Sequence, residues 1–220
     1  MLFMKDVNKR IEEIGFLPVI KLDHPERDAK KLAHALCDGG IPAAEVTFRA
    51  AGADKAIALM LEARPDMLVG AGTVLTVEQA KAAIDAGASF LVSPGFDEDV
   101  VKYALDRGVA IYPGTVTPSE VMAAIKIGLS VVKFFPAEQY GGLNTIGALS
   151  GPFPQVRFVP TGGVNLKNLG QYIKSPAVVA CGGSYMIKAE FLDNDRFDEI
   201  TRLSEETRRV IDQAREPQAV

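Results

Sequence analysis

Histidine and cysteine are scarce in this chain of 220 residues, with two of each. His24 precedes Pro25 in a loop-like stretch and His34 falls in a helical pattern. Neither has the spacing of a ligand pair, so no metal is expected. Cys37 and Cys181 are far apart and form no Cys-x-x-Cys, so they read as reduced packing residues, not a disulfide framework. No apolar stretch is long enough to cross a bilayer. The formal net charge is -4 and no block of like charge occurs, which gives no reason to expect a nucleic-acid or membrane partner. Near the N-terminus, Lys5, Arg10, Glu12 and Glu13 alternate with Val7, Ile11 and Ile14, the pattern of an amphipathic helix and not of a signal peptide. The expected compartment is the cytoplasm. No Gly-x-Gly-x-x-Gly fingerprint follows the first strand, which disfavours an open doubly wound sheet, and neither a P-loop nor a Gly-x-Ser-x-Gly elbow occurs. No linker-like composition divides the chain, so one domain over 1–220 is expected.

What the chain does have is a repeat of short apolar runs. They are Leu17 to Leu22, Ala44 to Phe48, Leu68 to Thr73, Phe90 to Ser93, Ala110 to Tyr112, Val131 to Phe135, Arg157 to Pro160 and Val178 to Cys181. A strand, a crossover helix and two loops require about the spacing that separates them. Helical patterning fills the intervals, with Thr76 and Thr117-Pro118 as N-terminal caps and Gly39-Gly40, Gly87, Gly108 and Gly128 as stops. This pattern predicts an α/β fold, a single (β/α)8 TIM barrel over 17–186. An extra N-terminal helix at 1–15 could close the barrel bottom, and a C-terminal helix is expected at 195–214. The tail from Arg215 to Val220 is expected to fray.

Lys133 stands inside the apolar run Val131-Val132-Lys133-Phe134-Phe135-Pro136. Burial disfavours an ammonium ion, and a neutral amine attacks carbonyl carbon to form a Schiff base. The alternative is a lysine whose stem packs on the core while its head reaches solvent. Strand parity sets Glu45, Thr47 and Arg49 on one side and Val46 and Phe48 on the other; it likewise groups Lys133 with Phe135. Glu45, Arg49 and Lys133 then converge at one barrel mouth, unless Glu45 and Arg49 are only a structural ion pair. Two glycine pairs, Thr161-Gly162-Gly163 and Gly182-Gly183-Ser184, end the last two strands, where barrels of this class bind phosphate through backbone amides. Ordinary glycine turns are the other reading. Small residues in Gly72-Thr73, Ser93-Pro94-Gly95 and Pro113-Gly114-Thr115 leave room at the mouth, and their hydroxyls and amides could hold a carboxylate.

The ordered motifs Glu45-Val46-Thr47-Phe48-Arg49, Gly70-Ala71-Gly72-Thr73, Val92-Ser93-Pro94-Gly95, Val132-Lys133-Phe134-Phe135-Pro136-Ala137-Glu138, Pro160-Thr161-Gly162-Gly163 and Gly182-Gly183-Ser184 resemble those of the bacterial 2-keto-3-deoxy-6-phosphogluconate (KDPG) / 4-hydroxy-2-oxoglutarate (KHG) aldolases. The resemblance runs from about Leu17 to Met186. It implies a (β/α)8 barrel, a homotrimer, a class I reaction without metal or other cofactor, and a small 2-keto acid substrate, phosphorylated in the first case. By the same resemblance Lys133 is the Schiff-base lysine and Glu45 the general acid/base. Arg49, Thr73, Pro94 and Phe135 surround the pyruvate moiety, and Thr161, Gly162, Gly163, Gly183 and Ser184 lie near the phosphate. Two positions depart from the pattern. Lys21 follows the first strand where many members have arginine, and a lysine offers one point charge in place of a planar fork. Phe48 stands where leucine is commoner, on the outward face. Other readings are an aldolase for the galactose-configured phosphosugar acid, a different phosphate-binding barrel enzyme, and a non-catalytic phosphosugar-binding barrel.

Overall fold

The computed structural model describes residues 2–216. Its strands are β1 (Phe16–Ile20), β2 (Ala43–Thr47), β3 (Leu68–Gly72), β4 (Phe90–Val92), β5 (Ala110–Tyr112), β6 (Gly114–Thr115), β7 (Val131–Phe134), β8 (Arg157–Pro160) and β9 (Cys181–Gly183). Helices cover the sheet between strands: α1 (Leu2–Ile14), α2 (Pro25–Asp38), α3 (Ala53–Ala63), α4 (Val77–Asp85), α5 (Glu98–Asp106), α6 (Pro118–Lys126), α7 (Gly142–Ser150), α8 (Leu169–Ile173), α9 (Ala189–Asp193) and α10 (Phe197–Arg215). The strands are short and buried almost throughout, as expected of parallel strands covered on both faces.

All pairings are parallel, in a six-stranded sheet ordered β5-β4-β3-β2-β1-β9 and a three-stranded sheet ordered β6-β7-β8. The expected single closed barrel is therefore met in its coarser form, a curled parallel α/β fold. Two local features divide the ladder. Pro113 has no N–H to donate, which separates β5 from the two-residue β6, a strand that the sequence pattern hides among turn residues. Between β8 and β9 only the isolated bridges Phe158 to Val178 and Thr161 to Gly182 form. The last strand begins three residues later than the apolar run that announced it, at the run's final residue Cys181. Val178 and Val179 pair with Phe158 of β8, and Cys181-Gly182-Gly183, which looks like a turn, pairs with β1.

Helix starts follow their caps. Thr76 Oγ1 accepts from the Gln79 N–H at 3.2 Å, and Thr117 with Glu120 forms a reciprocal capping box in front of Pro118. On α1, Val7, Ile11 and Ile14 are buried. The helix is tied to β5 by Tyr112 Oη donating to Asn8 Oδ1 at 2.5 Å, and to the first residue of β8 by a two-pronged Arg157–Glu12 pair at 2.7 and 2.9 Å. That places α1 against the amino ends of the strands, leaving the carboxyl ends open. The fraying expected from Arg215 onward does not begin there. Arg215 ends α10 and its guanidinium donates to the carbonyls of Glu12 and Glu13, while Pro217 to Val220 lie outside the described residues.

Candidate active site

Glu45 is the middle residue of β2 and Lys133 the third residue of β7, strands that are not hydrogen-bonded neighbours. Their side chains meet across the interior with Nζ 3.4 Å from Oε1, at side-chain exposures of 7% and 3%. Gly72 makes this possible, since a Cβ there would sit 2.3 Å from Glu45 Oε1. A tight charge-assisted bond would measure about 2.7–2.9 Å. The observed contact is looser, and each group remains free to engage a third atom. Val132 and Phe134 flank Lys133 in β7, and just past the strand the Phe135 ring centroid lies 5.1 Å from Nζ.

Arg49, two residues beyond β2, donates through Nε to Thr47 Oγ1 at 3.2 Å, and that hydroxyl donates to the Ile20 carbonyl at 2.7 Å. The guanidinium is thereby tethered to β1 and β2, and its two remaining nitrogens are available to an anion. Glu45 does not take it as an ion-pair partner; the structure pairs Glu45 with Lys133. Thr73 holds φ at +54°, a region β-branched residues rarely enter and that costs on the order of 1–3 kcal/mol, so the surroundings of β3 must enforce it.

The far end of the site is built from backbone. Gly162 and Gly163 adopt φ of +102° and +82°. At Gly163 a Cβ would stand 2.4 Å from Glu138 Cγ, and the Glu138 carboxylate is held in turn by Tyr172 Oη. The N–H groups of Gly162, Gly163, Val164 and Ser184 make no bond to a protein backbone acceptor among the described residues. Successive free amides of this kind form a concavity that suits an oxyanion.

One cavity of about 500 Å³ contains all of this. Its lining includes the residues to which the family resemblance assigns catalytic or substrate-binding roles: Glu45, Arg49, Thr73, Pro94, Lys133 and Phe135 at one end, and Thr161, Gly162, Gly163, Gly183 and Ser184 at the other. Four further lining residues were not singled out, namely Val19, Val164, Asn165 and Tyr185. Val19 follows from strand parity in β1, and Val164 and Tyr185 adjoin the glycine motifs. Nothing in the sequence marked Asn165. Tyr185 is an inert wall, because its hydroxyl shares a 2.5 Å bond with Thr207 of α10 and burial pushes its pKa up to about 12.

Some expected contributions do not reach the cavity. Ser93 Oγ donates to the Gly95 carbonyl at 2.7 Å, and Thr115 Oγ1 donates to the Lys133 carbonyl at 3.3 Å, so both hydroxyls are used inside the wall. Lys21 is outside the lining and pairs with Asp23 at 2.6 and 2.7 Å. The lysine-for-arginine departure thus falls on a half-exposed surface pair. His24 and His34 are exposed, and among the described residues no three His, Cys, Asp or Glu side chains gather as metal ligands. The arrangement is an amine and a carboxylate in a water-poor strand interior, a cation beside them, and an amide-lined anion pocket at the opposite end. It suits nucleophilic addition to the carbonyl of an acid that carries a second anionic group.

A family model described as KDPG and KHG aldolase matches residues 7–203. Among curated proteins, 2-dehydro-3-deoxy-phosphogluconate aldolase of Treponema pallidum is 47% identical over 94% of this chain and 99% of its own. KHG/KDPG aldolase of Escherichia coli K12 is 41% identical over 86% and 89%. Among solved structures, KDPG aldolase from Legionella pneumophila, with pyruvate captured at low pH as a covalent carbinolamine intermediate, superposes with a TM-score of 0.87. It is 38% identical and covers 91% of this chain and 97% of that one.

Proposed function

The chain belongs to the KDPG and KHG aldolase family, and from that premise we propose that it works as a class I, metal-independent lyase with Lys133 as its nucleophile. It cleaves 2-keto-3-deoxy-6-phosphogluconate to pyruvate and glyceraldehyde 3-phosphate, and 4-hydroxy-2-oxoglutarate to pyruvate and glyoxylate. The observation that carries the class I reading is the buried Lys133 amine, 3.4 Å from the Glu45 carboxylate in the cavity that also holds the free loop amides.

After Lys133 passes a proton to Glu45, the amine adds to the C2 carbonyl, and a proton moves from the nitrogen to the oxygen to give a carbinolamine. Glu45 donates a proton as water leaves, forming the iminium. Now a carboxylate, Glu45 takes the proton of the C4 hydroxyl; the C4–O electrons form the aldehyde carbonyl, the C3–C4 bond breaks, and its pair passes through C3 and C2 to the iminium nitrogen. The resulting enamine is protonated at C3, and addition of water releases pyruvate and restores the amine. One carboxylate positioned beside the nitrogen suffices for these successive transfers. Arg49 neutralises the substrate carboxylate, Thr73 and Pro94 shape its pocket, and Phe135 gives the iminium an aromatic face. The free amides of Gly162, Gly163 and Ser184 receive the phosphate, with Thr161 and Gly183 lining the pocket beside them.

Several finer points belong to the same proposal. The two sheets form the wall of one eight-stranded barrel, β5 and β6 being one strand interrupted at Pro113 and β8 meeting β9 through the isolated bridges. The whole chain is one domain, it assembles as a homotrimer, and it acts in the cytoplasm. Among the described residues no helix is long and apolar enough to cross a membrane. The test of metal independence is cleavage of both substrates after exhaustive chelation. The rate should be unchanged, and a large loss that zinc or magnesium restores would mean a class II reaction.

A further inference from the structure

Two asparagines outside the motif set converge on a single atom of the anion pocket. Asn165 Nδ2 donates to the Gly163 carbonyl at 2.9 Å, and Asn168 Nδ2 donates to the same oxygen at 3.1 Å. Each amide's own oxygen is also committed. Asn168 Oδ1 accepts the Asn165 N–H at 2.8 Å, and Asn165 Oδ1 accepts the Lys167 N–H at 3.0 Å. The two side chains are therefore locked in orientation and present their donors to one acceptor.

A trans peptide sets the N–H of residue i+1 opposite the carbonyl of residue i. Fixing the Gly163 carbonyl therefore fixes the Val164 N–H, which points away from the asparagines and has no backbone acceptor. Val164 and Asn165 both line the cavity, whereas Asn168 lies behind the loop. Gly163 is at φ +82°, where glycine is free to rotate its flanking peptides, so without an external hold this peptide would flip readily. Two donors on one carbonyl supply that hold.

We propose that Asn165 and Asn168 are positioning residues that clamp the Gly163–Val164 peptide, and that the Val164 N–H is a phosphate donor beside those of Gly162 and Gly163. The proposal rests on the reading of these loops as the phosphate end of the substrate site. Neither asparagine acts on the reacting carbons, so the clamp should matter for a phosphorylated substrate and not for KHG, which has no phosphate.

The experiment measures kcat/KM for KDPG and KHG, and inhibition of KDPG cleavage by inorganic phosphate, in wild type, Asn165→Ala, Asn168→Ala and the double variant. Each single variant retains one donor and should lower KDPG kcat/KM by about threefold, within the range of one neutral hydrogen bond. The double variant should lose about 30-fold or more, exceeding the product of the singles because the two donors substitute for each other. KHG cleavage should stay within about twofold, and the inhibition constant of phosphate should rise in step with the KDPG loss. Asn168→Asp guards against a folding defect: it keeps the oxygen that accepts the Asn165 N–H and removes only the donor. Measured at high salt to screen the added charge, it should match Asn168→Ala. Equal losses on both substrates, or an unchanged ratio in the double variant, would overturn the clamp. A wild-type enzyme insensitive to phosphate, with no preference for KDPG, would instead overturn the phosphate reading beneath it.

Discussion

The two ends of the cavity are made of different material. At the Lys133 end the chemistry is carried by side chains on strands, Glu45 on β2 and Lys133 on β7, with Arg49 just beyond β2 and held to it by Thr47. At the Gly163 end it is carried by peptide groups in loops, and side chains such as Asn165, Asn168 and Glu138 stand around them as supports. Strands give a nucleophile and its proton carrier a fixed separation, which bond making and breaking require. A phosphate needs many donors and little angular precision, which glycine loops provide. The comparison separates a reacting end, where one atom decides the rate, from a holding end, where the load is shared.

Substitutions at the reacting end should therefore cost far more than those at the holding end, and equally for both substrates. Lys133→Met fills similar apolar volume and should leave the fold intact while lowering turnover of KDPG and KHG by at least about 10⁴-fold. Residual activity near wild type would remove Lys133 from the chemistry. Glu45→Gln preserves size and hydrogen bonding but not proton transfer, so kcat should fall by about 10²–10⁴-fold on both substrates. An undiminished kcat would mean that another group or water moves the protons.

At the holding end the signature changes from rate to substrate ratio. Gly163→Ala brings a Cβ to within 2.4 Å of Glu138 Cγ at a φ hostile to side chains, which should turn its amides away from the anion. The expected loss is about 100-fold in kcat/KM for KDPG, toward the upper end for a charge-assisted hydrogen bond, with KHG little affected. Ser184→Ala removes a hydroxyl and leaves the amides in place, so about tenfold on KDPG alone is expected. Steady-state kinetics with both substrates reads all of these, and equal losses on KDPG and KHG would reduce the loops to general support of the barrel mouth.

The same contrast explains what the sequence made legible. A lysine in an apolar strand conflicts with the cost of burying charge, so Lys133 stands out, and strand parity then supplies Glu45, Arg49 and Phe135. Paired glycines after the last strands mark the holding end, because little else requires them. Asn165 and Asn168 were invisible, since asparagines in a loop are common and nothing in their spacing shows that both reach the Gly163 carbonyl. The apparent loss of an arginine at Lys21 carried no weight once Lys21 was found on Asp23. In the fold, the regular recurrence of apolar runs located most strands. It missed β6, hidden behind Pro113, and displaced β9, where Cys181-Gly182-Gly183 offers only one side chain by which to recognise a strand.

The central claim is that one amine, at the end made of side chains, forms the bond to substrate. Borohydride reduction in the presence of pyruvate tests it directly, since the iminium is converted to a stable secondary amine. Intact-mass measurement should show one adduct per chain, and peptide mapping should place it on Lys133, with slower trapping persisting in Glu45→Gln and none in Lys133→Met. An adduct on Lys21 or Lys188, or no adduct at all, would contradict the account.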